Sequence, residues 1–159
     1  MGLHGTAAGE IVSGRHVAFV ATCPAERWVN HESDILDASG SALLRDDDGG
    51  YSGGRYTIQR AGLWMFGVSG SLWADGSMSL AGAGVLIKAN IGGTEKLLVA
   101  ASGQASDFEG GWYCFANVSG SGLRELALND EVRFVAGGGS IYTHSELLFW
   151  GLYLGPAAS

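Results

Sequence analysis

The sequence predicts an all-β sandwich in one domain, on three observations. Apolar runs rich in aromatic and β-branched residues recur about every 8 to 12 residues, the spacing of a sandwich or barrel. Clusters of Gly, Asp, Asn and Ser separate them. Only EKLLVAA (95–101) and LRELAL (123–128) could pass for helix turns, and both fall short of the roughly 10 residues that mark a helix. The size agrees: 159 residues, 47% apolar and 16% charged, suit a single globular unit rather than a solvated polymer. The 27 Gly follow no Gly-x-y period, which excludes collagen.

In chain order, residues 1–16 are rich in Gly, Ala and Ser with little apolar periodicity, and read as an arm that is ordered by a neighbour. Strands are expected in HVAFVAT, ALL, RYTIQ, GLWMFGVSGSL, AGVLIKAN, EKLLVAAS, GWYCFANVSG, LRELAL, EVRFVA and SELLFWGLYLG. Asn90 with Gly92-Gly93, and Asn129-Asp130, are residue types that tolerate φ > 0, so they read as hairpin ends. Asp46 to Asp48 followed by GGYSGG reads as an exposed acidic loop. No motif recurs at a fixed period, which argues against propellers and solenoids. The domain is expected over 17–156, with a short tail at 157–159.

A formal charge of −7 repels phosphate backbones and anionic lipid, so neither nucleic acid nor membrane is an expected partner. The longest apolar run, Leu147 to Leu154, is far short of the roughly 18 residues a membrane helix needs. The first sixteen residues lack a basic start followed by an apolar stretch, so no secretory leader is expected and synthesis in a host cytoplasm is. Cys23 and Cys114 are too few for a disulfide framework and read as free, buried thiols.

Two segments depart from the alternation of a half-wet strand. LWMFGV (63–68) and LLFWGLYL (147–154) carry apolar or Gly residues on both parities. Side chains of a strand point alternately to its two faces, so these strands are covered on both sides. The facing sheet supplies one cover. With no helices expected to supply the other, a second copy of the chain is the readiest source, and the sequence predicts an obligate oligomer, the alternative being a local loop that covers the sheet.

The order of these pieces resembles the C1q and tumour necrosis factor family of trimeric jelly rolls. VAFVA (17–21) looks like that family's opening strand, and YTIQRAGLWMFGVSG (56–70) its run of Gly, aromatic, gap and Phe. AGVLIKAN followed by IGG, LRELALNDEVRF with Asn129 for the usual Gly, and SELLFWGLYL follow in order. The resemblance implies a two-sheet antiparallel jelly roll of about ten strands, forming a homotrimer around its inner sheet. Carried over by that pattern, Leu63, Met65, Leu123, Phe149 and Tyr153 face neighbouring subunits, and Gly67 and Gly151 permit close approach near the axis. Trp64, Phe66, Val68, Trp150, Leu152 and Leu154 then fill the sandwich. No collagen-like segment accompanies these residues, so the roles of stalked relatives are not carried over.

Signs of catalysis are thin, and no enzyme is expected. Gly50-Tyr51-Ser52-Gly53-Gly54 matches G-x-S-x-G in form, but an acidic loop precedes it and an extended run follows, where a nucleophile elbow needs a strand and a helix. His4, His16, His31 and His144 have no metal-site spacing. Asp46, Asp47 and Asp48 offer hard oxygens to Ca²⁺, although successive loop carboxylates are ordinarily just solvated; no other cofactor is expected. Trp28, Trp73 and Trp112 sit at run ends or in loops, where a ring could stack on a sugar, although packing under a loop is the more ordinary role. Asp46–Asp48 with Trp73 form the candidate ligand loop.

The function expected is that of a bacteriophage virion protein, a capsid decoration or cement protein on the capsid surface. It would dock on the major capsid protein or another virion protein through its arm. The alternative is a receptor- or carbohydrate-binding knob of a tail or fibre, or a C1q-like binding head.

Overall fold

The computed structural model describes residues 17–23, 26–37, 42–75, 84–102, 105–107, 113–143 and 147–158. The arm 1–16 lies outside these residues, as do Trp112, His144 and Ser159. Thirteen strands occur among them: β1 (Ala18–Thr22), β2 (Arg27–Val29), β3 (Ala42–Asp46), β4 (Tyr51–Ser52), β5 (Arg55–Thr57), β6 (Gly62–Asp75), β7 (Gly84–Ile91), β8 (Thr94–Ser102), β9 (Ala105–Asp107), β10 (Tyr113–Leu126), β11 (Glu131–Gly137), β12 (Ile141–Thr143) and β13 (Leu148–Gly155). This exceeds the ten or so expected because β2, β4, β9 and β12 are pieces of two or three residues, too short to leave a periodic signal. EKLLVAA lies in β8, and LRELAL ends β10 and enters the following turn.

The strands form two antiparallel sheets. The first is built on the 14-residue β6. β10 pairs with it from Leu126 opposite Gly62 to Tyr113 opposite Asp75. On its other edge β13 pairs over Leu63–Ser69, and β12 beyond it at Trp73 and Ala74. The sheet continues from β13 through β1 to β3, and from β12 to β2. The second sheet runs β4-β5-β11-β7-β8. Its β7–β8 hairpin turns through Gly92 and Gly93 at φ +56° and +85°, the paired positive φ values of a type I′ turn. Asn129 takes φ +69° in the β10–β11 turn, a conformation Asn tolerates.

Between the sheets lies an aromatic core. Phe19, Tyr56, Trp64, Phe66, Phe134 and Phe149 are all fully buried. Phe19 meets Tyr56 at 4.9 Å between ring centres, and Phe134 meets Phe149 at 5.0 Å. Trp64 satisfies its indole N–H by donating to the Arg60 carbonyl at 2.9 Å, which lets so large a ring be buried. Ile35 and Leu36 cover the core beside β11, where Ile35 N–H donates to the Phe134 carbonyl at 2.7 Å. Cys23 is buried, its thiol donating to Thr143 Oγ1 at 3.4 Å, whereas the side chain of Cys114 lies outside the described set.

Candidate functional site

The two outer faces of the sandwich differ in chemistry. On the second sheet, Arg55 bridges Glu131 at 2.6 Å and Asp34 at 3.2 Å, and Arg133 bridges Asp34 and Glu95, each at 2.9 Å. Lys88 continues the chain to Glu95 at 3.1 Å and to Glu32. Charge alternates along this network, which crosses four strands and the 31–37 segment. Such a face suits water.

The outer face of the first sheet is apolar over its central strands. Residues opposite one another in a sheet share a face. The register lines up Leu123, Met65, Leu152 and Ala18 across β10, β6, β13 and β1. The next outward row holds Ser121, Gly67, Trp150 and Val20. Leu123 is 58% exposed, Leu154 43% and Leu63 36%, while Met65, Trp150, Leu152 and Val20 are half-buried. Trp150 lies directly over Gly67, where an added Cβ would run into the indole. Contiguous exposed apolar surface is a recurring feature of interaction sites.

The expected faces hold on β6 and fail on β13. Trp64, Phe66 and Val68 point inward and are 0–1% exposed, with Leu63, Met65 and Gly67 on the opposite, outer face. On β13 the assignment is inverted. Phe149, expected to face a neighbouring subunit, is fully buried core, and Gly151 holds the Phe66 ring. Tyr153 packs inward at the rim, its ring 5.4 Å from that of Trp64. Trp150, Leu152 and Leu154, expected in the core, are the residues on the outer face. The register pairs Phe149 with Val68 and Trp150 with Gly67. A one-residue slip in assigning parity exchanges every side chain between faces, and LLFWGLYL is apolar on both parities.

The candidate ligand loop does not form one site. Trp73 and the 46–48 turn stand near opposite ends of β6, roughly 35 Å apart at the usual rise per strand residue. The three carboxylates are engaged separately. Asp46 accepts from Gly50 N–H at 3.1 Å and Tyr51 N–H at 2.8 Å, closing the turn. Asp47 pairs with Arg45 at 2.7 Å and accepts from Ala18 N–H at 3.0 Å. These bonds, the Arg45 one foremost, hold its carboxyl below the usual range. Asp48 pairs with Arg60 at 3.1 Å. Two guanidinium groups and three peptide N–H donors suit a charged turn, not a Ca²⁺ shell, which needs six or more free oxygens. No group of three His, Cys, Asp or Glu fit to hold a metal occurs among the described residues. Ser52 of the G-x-S-x-G match sits at a β-hairpin tip, with Gly53 and Gly54 at positive φ; no elbow forms there.

Trp73 belongs instead to an aromatic row. It lies opposite Tyr142, which lies opposite Trp28. The Trp28 and Tyr142 rings meet edge-on at 5.4 Å, and Trp28 is 43% exposed. Tyr142 was not singled out in the sequence. Its signal was the run Ile141-Tyr142-Thr143, an aromatic between two β-branched residues, after a Gly cluster.

The architecture is that of a C1q/TNF-like jelly roll. No family model and no curated protein matches the chain by sequence. Among solved structures it is similar to the globular domain of zebrafish complement 1qA protein, with TM-score 0.58 and 14% identity over 88% of this chain and 98% of that one. Murine APRIL gives TM-score 0.59 at 9% identity over 87% and 100% of the two chains. The Eiger TNF from S. frugiperda gives 0.58 at 8% identity over 92% and 97%.

Proposed function

We propose that the protein is a non-enzymatic homotrimeric head of a bacteriophage virion, a decoration protein that binds the capsid surface. The observation that carries this reading is the apolar row Leu123–Met65–Leu152, with Trp150 and Leu154 beside it, on one outer face of a sandwich whose other outer face is ion-paired. That asymmetry favours copies that meet through the first sheet and leave the second in water. Removing that apolar row from water favours such an assembly. The C1q/TNF-like fold supports a threefold arrangement. Residues 1–16 precede β1 and are the part that docks on the particle.

Sedimentation of the full chain at micromolar concentration tests the assembly, with a mass of three chains expected and a monomer refuting it. Imaging of the native particle tests the role: trimers seated on the capsid support decoration. Deletion of residues 1–16 is expected to leave the trimer intact and abolish particle binding.

The aromatic row favours a second reading, a carbohydrate- or receptor-binding knob, because Trp28 offers an exposed ring beside Tyr142. On that reading purified protein adheres to host cells, a saccharide competes, and Trp28→Ala abolishes adhesion.

A further inference from the structure

Beyond its apolar rows, the outer face of the first sheet changes character along β6. No register shift interrupts the β6–β10 pairing, so Leu63, Met65, Gly67, Ser69, Ser71 and Trp73 all lie on that face. After the rows at Met65 and Gly67 come two polar ones, Ser69 opposite Ser119 and Ser71 opposite Asn117, with Ser119 and Asn117 exposed. The aromatic row Trp73–Tyr142–Trp28 follows. Trp73 stands roughly 26 Å along β6 from Met65 at the usual rise per residue. From there the row runs outward through β12 to β2, so copies that meet through Leu123, Met65 and Leu152 need not cover it.

On the knob reading above, we propose that this row is the platform of a site for a neutral oligosaccharide, with Asn117 at one end and Asn30 at the other to meet sugar hydroxyls. Shape is the first argument. A sugar ring presents a C–H face to an aromatic ring and hydroxyls at its rim, so its site needs aromatic faces beside a few polar side chains. Trp28 is 43% exposed, and Tyr142 and Trp73 are half-buried in line with it. Asn117 is the diagonal neighbour of Trp73, about 7 to 8 Å away across the strand pair. Asn30 and Ser140, hydrogen-bonded at 3.4 Å, lie two residues from Trp28 and Tyr142 respectively, and Asn30 is exposed. Length is the second argument: from Trp28 to Trp73 the row crosses two strand spacings, about 9.6 Å, more than one sugar ring covers. Charge sets the class. β6, β12 and β13 carry no Lys or Arg. Arg27 of β2 alternates with Trp28 to the other face, where it bridges Asp37 at 2.6 Å and donates to the Ile35 carbonyl at 3.0 Å. A sialylated, uronate-bearing or sulfated chain needs a cation for its acid group and meets none in these strands, and the formal charge of −7 repels it.

Binding of the full chain to cellotriose, maltotriose, chitotriose and galactotriose, against sialyllactose and a heparin tetrasaccharide, tests it. At least one neutral trisaccharide is expected to bind, more tightly than its monosaccharide and with no dependence on salt. Trp28→Ala and Asn117→Ala are each expected to weaken that binding by about tenfold or more with native circular dichroism, while Trp28→Phe, which keeps a ring face, retains most of it. Binding of the anionic probes alone, parental binding by Trp28→Ala, or no binding of any probe overturns the proposal. Adhesion to host cells judges the knob reading separately. If adhesion persists with no neutral probe bound, the platform is overturned and the knob stands; if adhesion is absent too, both fall.

Discussion

Trp150 covers Gly67 on the outer face of the first sheet, so that the widest outward side chain of β13 rests on a β6 residue that has none. The indole thereby occupies the space that a side chain at position 67 would fill. Gly67→Val is expected to lift Trp150 away. Trp150 emission should shift to the red, and stability should fall by about 1 to 3 kcal/mol from overpacking. Urea denaturation followed by fluorescence checks both, and unchanged emission would contradict the packing.

Gly151 and Leu152 are neighbours with opposite fates. A side chain at Gly151 meets the Phe66 ring in the core, whereas Leu152 sits on the outer face beside Met65. Gly151→Val is therefore expected to lower the melting temperature of the domain itself. Leu152→Arg should leave a folded chain with native circular dichroism and abolish self-association by light scattering. If Leu152→Arg unfolds the chain while Gly151→Val does not, the faces of β13 are reversed.

Gly122 points into the sandwich at the β8/β10 edge, where an added Cβ would strike the Leu98 carbonyl and come within 3.1 Å of Val99. Its neighbour Ser121 points outward and is exposed. Gly122→Val is expected to cost about 1 to 3 kcal/mol, because neither backbone can yield without parting the sheets. Ser121→Val should change stability by less than about 0.5 kcal/mol. Equal effects in chemical denaturation would show that the edge is not closed by contact.

How much was legible in advance follows from the same residues. Alternation sets a face only when one parity is polar. The β6 assignment rested on the resemblance, since LWMFGV is apolar on both parities, and Trp64 and Phe66 did prove to be core. In LLFWGLYL nothing in the pattern distinguishes Phe149 from Trp150; the register against Val68 and Gly67 decides, and register is a long-range fact. Composition likewise marked Asp46–Asp48 and Trp73 as notable without showing that β6 separates them. The ion-paired face of the second sheet was invisible for a related reason. Asp34, Arg55, Glu95 and Arg133 are scattered along the chain and meet only once β5, β7, β8 and β11 are assembled.

That network makes stability depend on pH with a definite sign. The Glu95 carboxyl is held below its ordinary value, first by hydrogen bonding to Lys88 and then to Arg133. A carboxylate lowered in the folded state contributes its stability above the unfolded pKa, about 4.3, and loses it as pH falls through the folded value. Lys88, raised by its bonds to Glu32 and Glu95, contributes below its unfolded pKa of about 10.4 and loses that contribution as pH rises through the folded value. Both partners are thus in force across the neutral range. With Glu95 42% exposed, solvent screening limits each pair to less than about 1 kcal/mol. Glu95→Gln is expected to lower the denaturation midpoint at pH 7 and to match the parent at pH 2, where the parent's carboxyl is protonated as well. A deficit of the same size at both pH values would mean that the side chain acts through packing and not through charge.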